Sequence, residues 1–393
     1  MSASARLNGV SDSELERRWR ALRGEMAKHG LDAIVATGSN DWLGGHVRWL
    51  TDFPATNGYY RTVIFFADRP MSVVEMGAFG GARDFGGHDG IHRGVGIQIT
   101  APAFSSIAQT NTLDGELVAK QLTGCQRVGL VTPGAMPSDL LAAIRGVDGI
   151  EIANATEIVD RLKAVKSPEE IARYRQTCRL QDEVFAHVLS IIKPGMRDVD
   201  VATAAMAKAQ ELGSDQGIVL CGSAPIGTAA RFNPRQLQGR VIEQGDQFTI
   251  LIEVNGPGGT YGEIGRTIVL GKATNKLKEQ CAAMVEAQAF TLGLMKPGAH
   301  PSEILAAHNA WMSARSLPPE MRLYAHGQGG DMVERPLIRQ DETMPLMENM
   351  TFAVHPGYDD GSVFAVMCDN YTIGPDGPLA CEHRTEKRIF EIN

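Results

Sequence analysis

Apolar positions recur along the chain with two different periods, and the switches between them mark out its elements. Behind the start Ser11-Asp-Ser-Glu14, apolar residues at helical spacing, among them Leu22 and Met26, run to His29-Gly30 and predict a capped amphipathic helix. Short apolar runs at 33–36, 62–66 and 71–75 predict strands, and a further run at 127–131 precedes a helix containing Leu140 to Ile144. Strands alternating with helices predict a mixed sheet with helices packed on it. The stretch 77–96, dense in glycine and carrying His88 and His92, predicts a loop.

A second region begins with Lys166-Ser167-Pro168-Glu169-Glu170. Ser167 caps, Pro168 suits the first helical turn and Glu170 completes a capping box, so a long helix starts here and runs to Ile192. Lys193-Pro194-Gly195 stops it. The same triplet, Lys296-Pro297-Gly298, closes a predicted helix over 276–295, again with a second helix after it. Two such helix pairs, each followed by strands, form an internal repeat, which builds a sheet of approximate two-fold symmetry with helices outside and a cleft inside. The chain thus divides into an N-terminal α/β domain, 1–160, and a C-terminal domain, 161–393. Within the latter, alternation predicts strands at 247–254 and 261–270 around the turn Asn255-Gly-Pro-Gly-Gly259. This hairpin brings Glu253 and Glu263 together if both face the cleft, whereas a one-residue slip turns Glu253 to the opposite face. Residues 352–355 and 363–371 supply the remaining strands.

Composition narrows the class of protein. Hydrophobic residues at 43% and charged residues at 21% are those of an ordinary globular enzyme, and 393 residues suffice for two domains. A net charge of -8, without any lysine-rich run, excludes a nucleic-acid partner. Residues 1–8 lack the apolar core of a signal peptide and no apolar run reaches the length of a membrane span, so no membrane partner and a cytoplasmic location are expected. The six cysteines have no paired spacing, as expected of reduced thiols.

Four motifs carry the chemistry: Tyr261-Gly-Glu263-Ile-Gly-Arg266-Thr, His326-Gly-Gln-Gly-Gly, Val354-His355-Pro356-Gly and Cys368-Asp369-Asn370-Tyr371. In order and spacing they resemble the creatinase, aminopeptidase P and prolidase family, whose catalytic half is the pita-bread fold. The resemblance implies that fold for the C-terminal domain and a creatinase-like mixed-sheet domain before it. Metal-dependent members of the family carry the ligands Asp, Asp, His, Glu and Glu. Matched motif by motif, Ile252 or, by a slip, Glu253 stands at the first, Glu263 at the second, His326 at the third, His355 at the fourth and Cys368 at the fifth. Two hard cations side by side need bridging carboxylates to offset their repulsion, and here at best two carboxylates remain. The expectation is therefore a site without a cofactor. The alternative is one Zn, Fe or Mn ion held by Glu263, His326, His355 and Cys368.

The roles implied follow from side-chain chemistry. His326, whose imidazole can accept a proton and hand it on, serves as general base and then acid, and His355 assists. Glu263 and Glu253 bind the substrate's nitrogen group, while Arg61 or Arg335 anchors a carboxylate by bidentate pairing. Arg61 stands where creatinase reaches a neighbouring subunit's site, which implies a homodimer. Tyr261, Glu334, Cys368 and Asp369 line the pocket. The bland alternatives are a surface ion pair of Glu263 with Arg266, a packed thiol at Cys368 and an ordinary surface Arg61. One departure stands out: the family's His-Asn-Pro is Phe232-Asn233-Pro234 here, so the base placed there in creatinase is missing. The reading is a homodimeric, metal-independent hydrolase that cleaves a C-N bond of a small, polar, carboxylate-bearing molecule. Its alternatives are a mononuclear metal-dependent hydrolase, peptidase or C-S lyase, and a non-catalytic binding module. Xaa-Pro peptidase activity is not expected, given the replaced ligands.

Overall fold

The computed structural model describes residues 9–40, 42–43, 45–55 and 58–392; the N-terminal segment 1–8 read for a signal peptide lies outside them. The chain forms two compact units, Met1–Lys163 and Ala164–Asn393.

The first unit runs α1 (Asp12–His29), β1 (Ala33–Gly38), α2 (His46–Thr51), β2 (Arg61–Phe66), β3 (Met71–Met76), β4 (Gly81–Asp84), β5 (Val95–Ala101), α3 (Leu113–Gln121), β6 (Arg127–Leu130), α4 (Ser138–Arg145), β7 (Glu151–Asn154) and α5 (Thr156–Ala164). Ser11 caps α1 by accepting from the Glu14 amide, and Gly30 closes it in the left-handed conformation. The seven strands form one mixed sheet in the order β4-β5-β3-β2-β1-β6-β7. Apolar side chains of alternating strand positions pack against helices on both faces. The glycine-rich stretch expected to be a loop contains β4, an edge strand paired antiparallel with β5 from Gly81 to Asp84. Its side chains are mostly exposed, so no apolar alternation betrays it.

The second unit repeats a helix pair followed by antiparallel strands. Its first half is α6 (Pro168–Ile191), α7 (Asp198–Glu211), β8 (Gly217–Ala224), β9 (Gln247–Asn255) and β10 (Tyr261–Leu270). Its second half is α8 (Asn275–Leu294), α9 (Pro301–Ser313), β11 (Ala325–Gly327), β12 (Glu334–Leu337), β13 (Thr351–Val354), β14 (Gly357–Asp359), β15 (Phe364–Val366), β16 (Asp369–Gly374), β17 (Gly377–Pro378) and β18 (Phe390–Ile392). The capping box of α6 is complete, with the Ser167 side chain on the Glu170 amide and the Glu170 side chain on the Ser167 amide. Such a cap contributes about 1 kcal/mol. One sheet has the order β18-β10-β9-β8 and the other β12-β11-β13-β16-β17.

The pairing of β9 with β10 decides which residues meet in the cleft. Glu253 lies opposite Glu263 and Ile252 opposite Ile264. Residues directly opposite in an antiparallel pair share a face. Ile252 and Ile264 enter the core beneath α6 and α7 with Phe248, Ile250 and Phe185, which leaves both glutamates on the other face. The register question is thereby settled for Glu253, because each fully buried aliphatic contributes about 1.5–3 kcal/mol and a slip would remove the whole row from the core.

The two sheets meet where Gly265 and Cys368 form an isolated bridge. A Cβ at Gly265 would lie 2.9 Å from the Cys368 Cβ, so only glycine permits this approach. Arg266, fully buried, fastens the junction. It donates to the carbonyls of Gly265, Cys368, Thr385 and Glu386 at 2.8–3.0 Å and to Asp369 Oδ1 at 2.6 Å. Arg266 therefore pairs with Asp369 and not with Glu263, contrary to the surface-pair alternative.

Candidate active site

Five side chains, from three strands and the ends of two others, converge on the cleft face. Glu253 and Glu263 come from the β9-β10 pair, His326 from β11, His355 from the residue after β13, and Cys368 from the residue before β16. His355 is aimed by its own backbone, whose amide donates to the Tyr324 carbonyl at 2.7 Å. Its Nε2 lies 3.4 Å from Glu263 Oε1, and His326 Nε2 lies 4.0 Å from Glu263 Oε2. The two imidazoles meet edge to face at 5.3 Å. Cys368 donates its thiol to Glu263 Oε1 at 2.9 Å.

The tautomer of His326 follows from its surroundings. Nδ1 lies 2.9 Å from the Gly327 carbonyl, which can only accept, so Nδ1 carries a proton and, in the neutral ring, the lone pair is on Nε2. That is the state in which imidazole ligates a metal, with the outer nitrogen fixed by a carbonyl.

Protonation divides the two carboxyls. Burial, then repulsion by Glu263, holds Glu253 well above the usual carboxylate range, so it is the protonated partner and donates to Glu263. Burial also opposes the charge on Glu263, but His355, His326 and the Cys368 thiol outweigh it and hold this carboxyl below its ordinary value. Burial pushes His355 down to about 4, against the attraction of Glu263. Burial and the Glu263 charge raise the Cys368 thiol well above its usual range, which removes it as a nucleophile.

Behind these residues lies a polar network that motif reading missed. Asn370 Oδ1 accepts from the Glu263 amide at 2.7 Å, and its Nδ2 donates to Gln328 Oε1 and Tyr174 Oη, each at 2.7 Å. Gln328 Nε2 in turn donates to the Met332 carbonyl at 3.0 Å and reaches Glu253 Oε1 at 3.4 Å. The signal was present: Gln328 is the non-glycine inside His326-Gly-Gln-Gly-Gly, and Asn370 sits inside the last motif. Their partners are 42 and 107 residues away, so no local pattern names them.

Other expected site residues are placed elsewhere. Asp369 adjoins Cys368 but points to the opposite face, where Arg266, Gln288 at 3.3 Å and Lys387 at 3.8 Å surround it. Alternation along a strand is the reason. Arg335 is tied to Glu342 at 2.5 Å, and Glu334 to Lys166, both side chains of the latter pair being buried. Arg61 lies in the first unit, held by Glu75 at 2.6 Å and by the Pro54 carbonyl at 2.8 Å. Two guanidiniums expected to anchor a carboxylate thus already have charged or polar partners. Tyr261 is fully buried, its amide donating to the Gly329 carbonyl at 2.7 Å, and shapes the turn after His326.

Among the described residues, Glu263, His326 and His355 offer metal donor atoms within 4.8 Å of one another. A carboxylate and two imidazoles are a donor set suited to Zn, Fe or Mn. A second group, Asp369, Cys381 and His383, is equally compact, but Arg266 and Lys387 already neutralise Asp369 there. Cations in place oppose a metal ion by direct repulsion.

Residues 172–373 match the model of metallopeptidase family M24. The uncharacterized peptidase YqhT of Bacillus subtilis is 24% identical over 346 residues, 86% of this chain and 89% of its own. The probable dipeptidase PepE of Mycobacterium bovis is 26% identical over 302 residues, 73% of this chain and 78% of its own. Among solved structures, the Xaa-Pro dipeptidase from Bacillus anthracis superposes with a TM-score of 0.74 at 20% identity, covering 96% of this chain and 100% of that one. The likeness confirms the pita-bread architecture. The match to a metallopeptidase family also overturns the expectation of a site without a cofactor. That expectation rested on the shortage of bridging carboxylates for two cations; the carboxylate of Glu263 and the imidazoles of His326 and His355 nevertheless form a donor set that could hold one ion. Among the described residues, no helix is long and apolar enough to cross a membrane.

Proposed function

We propose, since the chain belongs to metallopeptidase family M24, that it is a hydrolase cleaving the amide C-N bond of a dipeptide-sized substrate at one metal ion held by Glu263, His326 and His355. The observation that carries this reading is the meeting of those three donors beside a buried, protonated Glu253. A divalent cation in such a site polarises a carbonyl and makes water a nucleophile near neutral pH. The chain's own groups do the rest. His326 keeps its proton on Nδ1, so Nε2 stays available, and Glu263 stays ionised between two imidazoles. Glu253 holds a proton that an amide nitrogen needs in order to leave as an amine. Gln328 orients that carboxyl, and Asn370 fixes the strand that carries Glu263.

Dipeptidase names among the relatives support the size of the substrate. The paired state of Arg61 and Arg335 argues against a creatinase-like grip on a free carboxylate. The test combines elemental analysis of protein purified without an affinity metal with hydrolysis of a dipeptide panel. One ion per chain is expected, with Glu263→Gln losing both the ion and at least about 100-fold in kcat/KM. Full retention of metal or activity by Glu263→Gln refutes the assignment.

A further inference from the structure

The cleft face carries, beside the two glutamates, a set of apolar side chains that the chemistry does not use. Ile218 lies opposite Glu253, and Leu220 opposite Leu251, which itself lies opposite Gly265. Opposite residues share a face, so Ile218, Leu220 and Leu251 stand in the cleft with Glu253 and Glu263. All three are only partly buried, whereas Val219, Cys221, Ile250 and Ile252, alternating with them, are inside the core. Leu251 is the single incompletely buried residue of β9.

Phe232 completes the wall. Its ring tip comes within 3.7 Å of where a Gly265 Cβ would be, on the same face as Glu263. The ring meets Phe364 edge to face at 5.1 Å, with Ala229 and Val366 behind, in a cluster separate from the large cores. Arg231 pins this segment to the β14-β15 hairpin through two bonds to Asp359, at 2.5 and 2.9 Å. Apolar side chains left wet in a concave site beside convergent polar groups are the signature of a ligand pocket.

We propose that Phe232, Leu251, Leu220 and Ile218 form a subsite that receives an aliphatic or aromatic side chain of the substrate. This selects amides of apolar amino acids over those of glycine or acidic residues. The choice of ligand rests on the amide-hydrolase reading, and the test reads binding so that the two can fail separately. Isothermal titration of the purified protein with glycinamide, L-leucinamide and L-phenylalaninamide measures the preference directly. The two apolar amides are expected to bind at least about tenfold more tightly than glycinamide, as burial of one such side chain implies. Phe232→Ala is expected to reduce the ratio to about threefold or less, and Phe232→Leu, which keeps an apolar wall, to preserve most of it. Circular dichroism confirms that each variant is folded. Equal affinities in the unaltered protein, binding of none of the three amides, or an unchanged ratio in folded Phe232→Ala overturns the subsite. If the preference holds but no leucyl dipeptide is hydrolysed, the hydrolase assignment falls and the apolar subsite stands.

Discussion

Asp369→Asn isolates the charge that holds the two sheets together. Arg266 and Asp369 are both fully buried, and their 2.6 Å contact is the shortest of the five hydrogen bonds that Arg266 makes. Removing one partner of a buried pair generally costs about 3–5 kcal/mol, because the other charge is left without compensation. Here four carbonyls still accept from the guanidinium, and Asn keeps the shape and one acceptor of Asp. The cost should accordingly fall near the lower end, about 3 kcal/mol. For a unit of this size that corresponds to a fall in Tm of roughly 6–12 °C. Arg266→Met should cost more, since it removes all five hydrogen bonds at once and leaves Asp369 with only Gln288 and the more distant Lys387. The assay is urea unfolding followed by tryptophan fluorescence and circular dichroism together, with coincident transitions required before a free energy is extracted. An Asp369→Asn protein within about 1 kcal/mol of the original would refute the view that this pair is a charged clamp.

Two further perturbations address the same framework. Gly265→Ala places a methyl group 2.9 Å from the Cys368 Cβ, an atom fixed to the backbone, and should cost about 1–3 kcal/mol with loss of activity; Cys368→Gly in the same chain should restore much of the stability, and a neutral Gly265→Ala by thermal melting would contradict the close approach. His308, stacked on Tyr324 and hydrogen-bonded to Thr291, is pushed down to about 4 by burial, from an ordinary 6.5. Its folded-state value lies below the unfolded one, so its contribution is present above about pH 6.5 and lost as the pH falls toward 4, by about 3 kcal/mol in all. His308→Gln should flatten that segment of the stability profile, and an unchanged slope between pH 6.5 and 4 would exclude His308 as its source.

Local pattern was enough for the helices, the hairpin and the repeat. Ser167 and Glu170 lie three residues apart, the Lys-Pro-Gly stops are contiguous, and apolar alternation needs only nearest neighbours, so each is decided by short-range sterics and capping. The edge strand β4 escaped because its exposed side chains carry no apolar rhythm. Four of the five cleft residues were named from motifs alone, since glycine turns and strand ends mark them, and Glu253 awaited only its register. What the sequence could not decide was orientation and company. Whether Glu253 or Ile252 faces the cleft depends on a core row shared with α6 and α7. Cys368 and Asp369 are neighbours in the chain, yet one touches Glu263 and the other Arg266, because alternation sends them to opposite faces of the sheet. The charges of Arg61 and Arg335 were legible, but not that Glu75 and Glu342 already hold them. The dismissal of a two-metal centre rested on the number of carboxylates, a count that depends on residue type. The convergence of Glu263, His326 and His355 within 4.8 Å depends instead on how three strands are placed against one another, and only long-range packing decides that.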